Sequence, residues 1–129
     1  SNDKILLHET SEPERTRIIN ELKTSFPGVH IVEVPDHYRY SSWKGFTSAC
    51  NIFVNSIVTD QYIYMPTFNG PHDESMLSLT QSHTTKKVIP VPAEKVCFMG
   101  GSVRCLSWQA KGELKEKILS IVTHKLELS

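Results

Sequence analysis

The run CFMGGSVRCLSW, residues Cys97–Trp108, is the part of this chain whose pattern is most typical of a reactive site. Gly100 and Gly101 precede a short β-prone run that leads to Cys105. Because glycine permits positive φ and close backbone approach, a cysteine after such a turn can present its sulfur to a cleft. We therefore predict a loop at the two glycines, a strand over Ser102–Ser107, and Cys105 as the candidate catalytic residue.

Two interpretations of Cys105 stay open at this level. A thiol reacts as its thiolate, which requires a nearby base, an electropositive group or a cationic substrate. Without such a neighbour, a free cysteine behaves as a small apolar residue that packs in the interior. His37 and His72 are the candidate bases, but no neighbouring residue in the sequence selects either of them.

Composition excludes several classes of function. The 129 residues are predicted to form a single domain, 1–129. Fourteen Lys and Arg balance fourteen Asp and Glu, giving a formal net charge of zero. Since nucleic acids and anionic membranes bind concentrated positive charge, we expect neither as a partner. No apolar run is long enough for a membrane span, and the first residues do not resemble a signal peptide.

The three cysteines Cys50, Cys97 and Cys105 bear on metal binding and on redox state. Their spacing matches no zinc motif, so we predict no metal and no other cofactor. A sparse, odd set is typical of reduced thiols in the cytoplasm, which is the expected location. Cys50 and Cys97 lie in apolar runs and are predicted to be packing residues. One disulfide plus one free thiol is the alternative.

Apolar spacing predicts an α/β fold. Within residues 11–47, Ser11 is the predicted cap of a helix that ends at Pro27, and His30–Val34 is a predicted strand. Asp36–Gly45 is predicted to be an aromatic loop. Its aromatic side chains are expected to cover one end of the core, with a binding surface as the alternative.

The second half of the chain predicts a ββαβ order over residues 48–108, followed by the cysteine strand. Residues 109–129 are predicted to form a terminal helix with one apolar face. The predicted ββαβ elements are strands Ala49–Ile57 and Gln61–Met65 around a turn at Thr59 and Asp60, a helix after Pro71, and a short strand Lys87–Val91 that Pro90 makes either an edge strand or a bent one.

The run Met99–Ser107 resembles the final motif of the guanidino-group-modifying enzymes. The agmatine deiminase and bacterial-type peptidylarginine deiminase branch is the most similar one. Upstream, Ser48–Asn55 resembles that branch's strand with an asparagine before an aromatic residue. Tyr64–Glu74 resembles its succession of strand, proline, aromatic residue, turn and acidic helix start. The resemblance covers Ser48–Trp108.

This resemblance implies a pentein-type α/β propeller of ββαβ units, of which the chain carries a C-terminal part. It implies hydrolysis of a guanidinium group, in agmatine or in free or peptidyl arginine, to a ureido group and ammonia through a thiouronium on the cysteine. Cys105 is then the nucleophile, Gly100 and Gly101 shape the loop or bind substrate, and Asn51 lies beside the site. Arg104 stands where this branch more often has histidine.

The family's His-x-Asp pair does not occur in this sequence, so the isolated chain is expected to be inactive. A non-enzymatic interaction or regulatory domain derived from the same fold is the competing interpretation. A papain-like cysteine hydrolase is a third, but it would place its nucleophile at a helix start. Because part of a propeller exposes strand edges, a homodimer through those edges is also expected.

Overall fold

The computed structural model describes residues 4–127, with side chains described as far as residue 124. Within that part, no helix combines the length and the apolarity that crossing a membrane requires. The elements in chain order are β1 (Lys4–His8), α1 (Glu14–Ser25), β2 (His30–Val34), β3 (Ser42–Trp43), β4 (Phe46–Thr47), β5 (Ile57–Val58), β6 (Tyr62–Thr67), α2 (Asp73–Ser82), β7 (Lys87–Pro92), a short 3-10 helix (Cys97–Met99) and α3 (Glu113–Glu127).

Strands β1 and β2 pair in parallel and α1 connects them. The predicted cap Ser11 is wrong, because the carboxylate of Glu12 accepts from the backbone N–H of Thr16 (3.2 Å) instead. Arg15 of α1 donates from Nε to Oε2 of Glu33 in β2 (2.6 Å), which fastens the helix to the strand. Strand β1 was not predicted, since its short apolar run shows no period of its own.

Strands β5, β6 and β7 form the second sheet, antiparallel between β5 and β6 and parallel between β6 and β7. The predicted ββαβ order is confirmed, as is the edge position, one of the two alternatives for β7. The turn of the hairpin is also confirmed: the N–H of Thr59 donates to the carbonyl of Tyr62 (2.8 Å), and its hydroxyl accepts from the N–H of Tyr62 (3.0 Å).

One hydrophobic core joins the two sheets. Its buried members are Val34 of β2, Phe53, Met65 of β6 and Met76 of α2. Leu6 of β1 is partly buried and packs against this cluster. The core therefore connects the β1–α1–β2 unit to the ββαβ unit.

The predicted strand Ala49–Ile57 is wrong over most of its length, since pairing with β6 begins only at Ile57. Asn51 has φ +64°, a left-handed conformation that interrupts a strand. The backbone N–H of Ala49 donates to the carbonyl of Cys97 (2.8 Å). The segment is thus attached to the 3-10 helix rather than to the sheet.

Cys50 and Cys97 form a disulfide with their Cα atoms 4.8 Å apart. The expectation of reduced thiols is therefore wrong for these two residues, and the alternative of one disulfide plus free Cys105 describes the chain. Disulfides are typical of oxidising compartments, so the cysteines no longer support the expected cytoplasmic location.

The predicted aromatic loop contains a small hairpin of β3 and β4. Lys44 and Gly45, with φ +47° and +84°, form its two-residue turn, a geometry that suits the twist of short hairpins. Tyr40 is 75% exposed and Trp43 is 44% exposed. The expectation that the loop's aromatic side chains cover the core is wrong for these two.

Helix α3 begins at Glu113, later than the predicted start at Gln109, because Gly112 adopts φ +61°. The predicted apolar face is present in the sequence but does not pack closely. Of the predicted face, Leu114, Ile121 and Val122 are between 48% and 59% exposed, whereas Ile118 is half-buried.

Candidate active site

Cys105 lies in a run of turns and is exposed to solvent. The predicted strand Ser102–Ser107 is wrong. The backbone N–H of Leu106 donates to the carbonyl of Ser102 (3.1 Å), so the segment bonds to itself instead of to a neighbouring strand. The turns place the sulfur at the surface.

The side-chain amide of Asn55 contacts both the backbone and the sulfur of this segment. Its oxygen accepts from the N–H of Arg104 (3.0 Å) and of Cys105 (3.3 Å). Its nitrogen donates to Sγ of Cys105 (3.1 Å). One side chain thereby fixes the turn and orients a donor at the thiol.

Asn55 is the neighbour that the sequence did not identify. Within the described residues, Asn51 makes no hydrogen bond to Cys105, and its role at the site stays a prediction. Both asparagines lie in the run that resembles the deiminase strand. The signal that favours Asn55 is its position between the buried Phe53 and the start of β5 at Ile57.

The environment of Cys105 lowers the pKa of its thiol. The hydrogen bond from the Asn55 amide is the largest cause, followed by a backbone hydrogen bond from Ser102. The positive charge of Arg104 contributes in the same direction. At neutral pH a larger fraction of this thiol is therefore thiolate, the nucleophilic form, than in an ordinary cysteine.

The two glycines differ in what their positions require. Gly100 has φ +83°, and a Cβ placed there would lie 3.0 Å from the backbone oxygen of Thr47. A Cβ at Gly101 would lie 3.5 Å from Cβ of Cys105, an ordinary contact. Gly100 is therefore required for the loop to approach β4. That the pair shapes a substrate loop remains a prediction.

Neither candidate base contacts the thiol. His37 and His72 stack on each other with ring centroids 3.7 Å apart. Within residues 4–124, no His, Asp or Glu side chain forms a hydrogen bond with Cys105, and no group of three or more such residues or cysteines has metal-binding geometry. The chain thus supplies a polarised sulfur without a general base beside it.

A cavity of about 1330 Å³ is lined by residues of β1, β6, α2 and the start of α3. Arg104 lines it, but Cys105 does not. The thiol therefore faces open solvent rather than an enclosed cleft of this chain.

Comparison with known proteins places these observations in a family. Residues 2–110 match the family described as Porphyromonas-type peptidyl-arginine deiminase. This range contains Asn55, the disulfide and Cys105, and it ends before α3. No curated protein matches the sequence.

Solved structures share the fold of most of the chain at low identity. One assigned as a peptidyl-arginine deiminase has a TM-score of 0.66 and 19% identity, covering 85% of this chain and 36% of the other. Agmatine deiminase of Enterococcus faecalis has a TM-score of 0.60 and 12% identity, with coverage of 81% and 36%. Substrate-bound agmatine deiminase of C. jejuni has a TM-score of 0.53 and 19% identity, with coverage of 78% and 31%. The match therefore spans about a third of the length of these enzymes.

Proposed function

Because the chain belongs to the Porphyromonas-type peptidyl-arginine deiminase family, we propose that it is the cysteine-bearing part of a guanidine hydrolase. The reaction converts the guanidinium group of agmatine, arginine or a peptidyl arginine to a ureido group. The whole hydrolase is a pentein-type propeller to which this chain contributes one ββαβ unit and the nucleophile.

The observation that carries the proposal is the contact between the Asn55 amide and the Cys105 sulfur, at 3.1 Å. In the proposed reaction the thiolate attacks the guanidinium carbon and forms a C–S bond. Ammonia leaves after taking up a proton, which gives a thiouronium on Cys105. Water then adds to the same carbon, the C–S bond breaks, and the ureido product and the thiolate are released. One guanidinium and one water thus give one ureido group and one ammonium ion.

The chain's own groups account for only part of this chemistry. Asn55 stabilises the thiolate by hydrogen bonding and keeps the turn in place. A guanidinium ion also needs carboxylates in the planar arrangement that binds it in bidentate fashion. The nearby charge contributed by this segment is the cation Arg104, which opposes a cationic substrate. The clamping acids and the base therefore come from the remaining two thirds of the hydrolase.

The test compares the polypeptide that carries this sequence in full with the 129-residue chain alone. Each is incubated with agmatine, arginine and a short arginine peptide, and ureido product and ammonia are measured. The full polypeptide is expected to yield both products in equal amounts and to lose them in Cys105→Ala. The 129-residue chain is expected to yield neither. Absence of product from a folded full polypeptide with all three guanidines would overturn the proposal, and product from the short chain would overturn its incompleteness.

The exposed apolar side chains of α3 favour the second candidate, a non-enzymatic interaction domain. Labelling of Cys105 by a haloacetamidine, which mimics the guanidinium, and by a neutral alkylating reagent separates the two. Faster labelling by the cationic reagent supports a site for guanidines. Equal and slow rates with both reagents support the interaction domain.

A further inference from the structure

Two links join the segment that carries Asn55 to the segment that carries Cys105. At one end, the Cys50–Cys97 disulfide and the hydrogen bond from Ala49 N–H to the Cys97 carbonyl (2.8 Å) connect them. At the other end, the Asn55 amide contacts the backbone and the sulfur of Cys105. The two segments are therefore linked twice, covalently at Cys50 and Cys97 and by hydrogen bonds at Asn55 and Cys105.

The two segments are held in the protein very differently. The Asn55 segment is anchored by Phe53, which is 1% exposed and belongs to the core. Beyond the buried Cys97, the other segment passes Gly100 and the buried Ser102 before it reaches exposed Cys105. Within the described residues, the disulfide is the covalent link between the two segments, and their other links are hydrogen bonds and packing.

We propose that Cys50 and Cys97 are positioning residues for Cys105, because their disulfide holds the turn of Cys105 against Asn55. The noncovalent links alone are weak: a hydrogen bond at an exposed site stabilises by about 1 kcal/mol. A disulfide removes conformations in which its two segments separate. After reduction, the buried Ser102 and the hydrogen bonds to Asn55 alone hold the turn, so the turn separates from Asn55 more often while Phe53 stays in the core.

This makes the reactivity of Cys105 depend on redox state. A small dithiol reduces the bond by transferring two electrons and two protons: the S–S bond breaks, two thiols form, and the reagent closes its own disulfide. The thiol of Cys105 then loses its amide donor. The inference concerns the thiol itself, so it stands or falls separately from the deiminase activity.

The test follows the rate of iodoacetamide modification at Cys105 against pH, read at the Cys105 peptide by mass spectrometry. The oxidised chain is compared with the chain reduced by dithiothreitol and desalted without air, and with the double variant Cys50→Ala/Cys97→Ala. We expect reduction to move the midpoint of the rate profile to higher pH and to slow modification several-fold at neutral pH. Reoxidation should restore the original profile, and the double variant should match the reduced chain with or without dithiothreitol.

Asn55→Ala provides the control that separates positioning from general stabilisation. Since the contact is absent in this variant, its profile should not respond to reduction. Identical profiles for oxidised and reduced wild-type chain would overturn the proposal, as would a full response in Asn55→Ala. Loss of the far-ultraviolet circular dichroism signal on reduction would also overturn it, because the disulfide would then support the whole fold rather than the site.

Discussion

The core between the two sheets and the tail from Cys105 to α3 use apolar residues in opposite ways. Phe53 and Met65 in the core are each 1% exposed, whereas Leu119 and Ile121 of α3 are 48% and 59% exposed. Burial stabilises in proportion to the apolar area removed from water, so the core supplies most of the folding free energy. The tail carries the exposed thiol of Cys105 and an incompletely covered helix. The buried core and the candidate nucleophile are therefore located in different regions.

Truncation of one apolar side chain in each region should give the largest contrast. Phe53→Ala is expected to destabilise the chain by about 3–5 kcal/mol, because it removes buried area and leaves a cavity. Ile121→Ala, in the exposed face of α3, should change the free energy of unfolding by no more than about 0.5 kcal/mol. Urea denaturation of both variants measures the difference. A comparable loss in Ile121→Ala would show that α3 is packed as firmly as the core.

Gly100 connects the two regions, and its substitution should have an intermediate effect. Gly100→Ala is expected to cost about 1–2 kcal/mol, because alanine disfavours the left-handed conformation. Its Cβ would also press on the Thr47 carbonyl at 3.0 Å. Gly70→Ala is the matched control, since nothing lies within 4 Å of its added Cβ. If the two variants unfold at the same urea concentration, the glycine does not constrain the loop.

The Arg15–Glu33 pair between α1 and β2 should give the smallest effect. Arg15 lowers the pKa of Glu33, so its contribution is present above the carboxyl's unfolded pKa and is lost as the pH falls through the lower, folded value. Arg15→Gln should therefore lower Tm slightly at neutral pH and not at all in strong acid. Arg17→Gln is the control, because the ion pairs of Arg17 among the described residues are with Glu14 and Glu21 on its own helix. A loss that does not vary with pH would contradict the assignment to this ion pair.

The packed region was largely predictable from the sequence, because its signals are local. The turn at Thr59 fixed the hairpin, Pro90 indicated an edge strand or a bent one, and apolar spacing located α2. Strand β1 was not predicted, because it is a strand through its parallel pairing with β2, which lies beyond α1 in the chain. The residues of β1 do not indicate that partner.

The geometry around Cys105 was not predictable from the sequence, and its role as nucleophile stays a prediction. Cys105 was identified from its position after two glycines, yet its segment is turns rather than strand because Asn55 bonds the backbone there. The pairing of Cys50 with Cys97 and the choice of Asn55 over Asn51 depend on contacts between residues far apart in the chain. Composition and spacing do not encode such contacts. The fold alone brings them together.

If the Asn55 amide makes Cys105 a nucleophile, loss of its N–H donor should change the pH dependence of Cys105 alkylation. Asn55→Asp keeps the oxygen that accepts the backbone N–H groups but replaces the N–H donor with a negative charge. Asn51→Gly is the matched control, since glycine accepts the positive φ at that position. We expect a midpoint below that of an ordinary cysteine in the wild-type chain and in Asn51→Gly, and a clearly higher midpoint in Asn55→Asp. An unchanged midpoint in Asn55→Asp would show that the Asn55 amide does not activate the thiol.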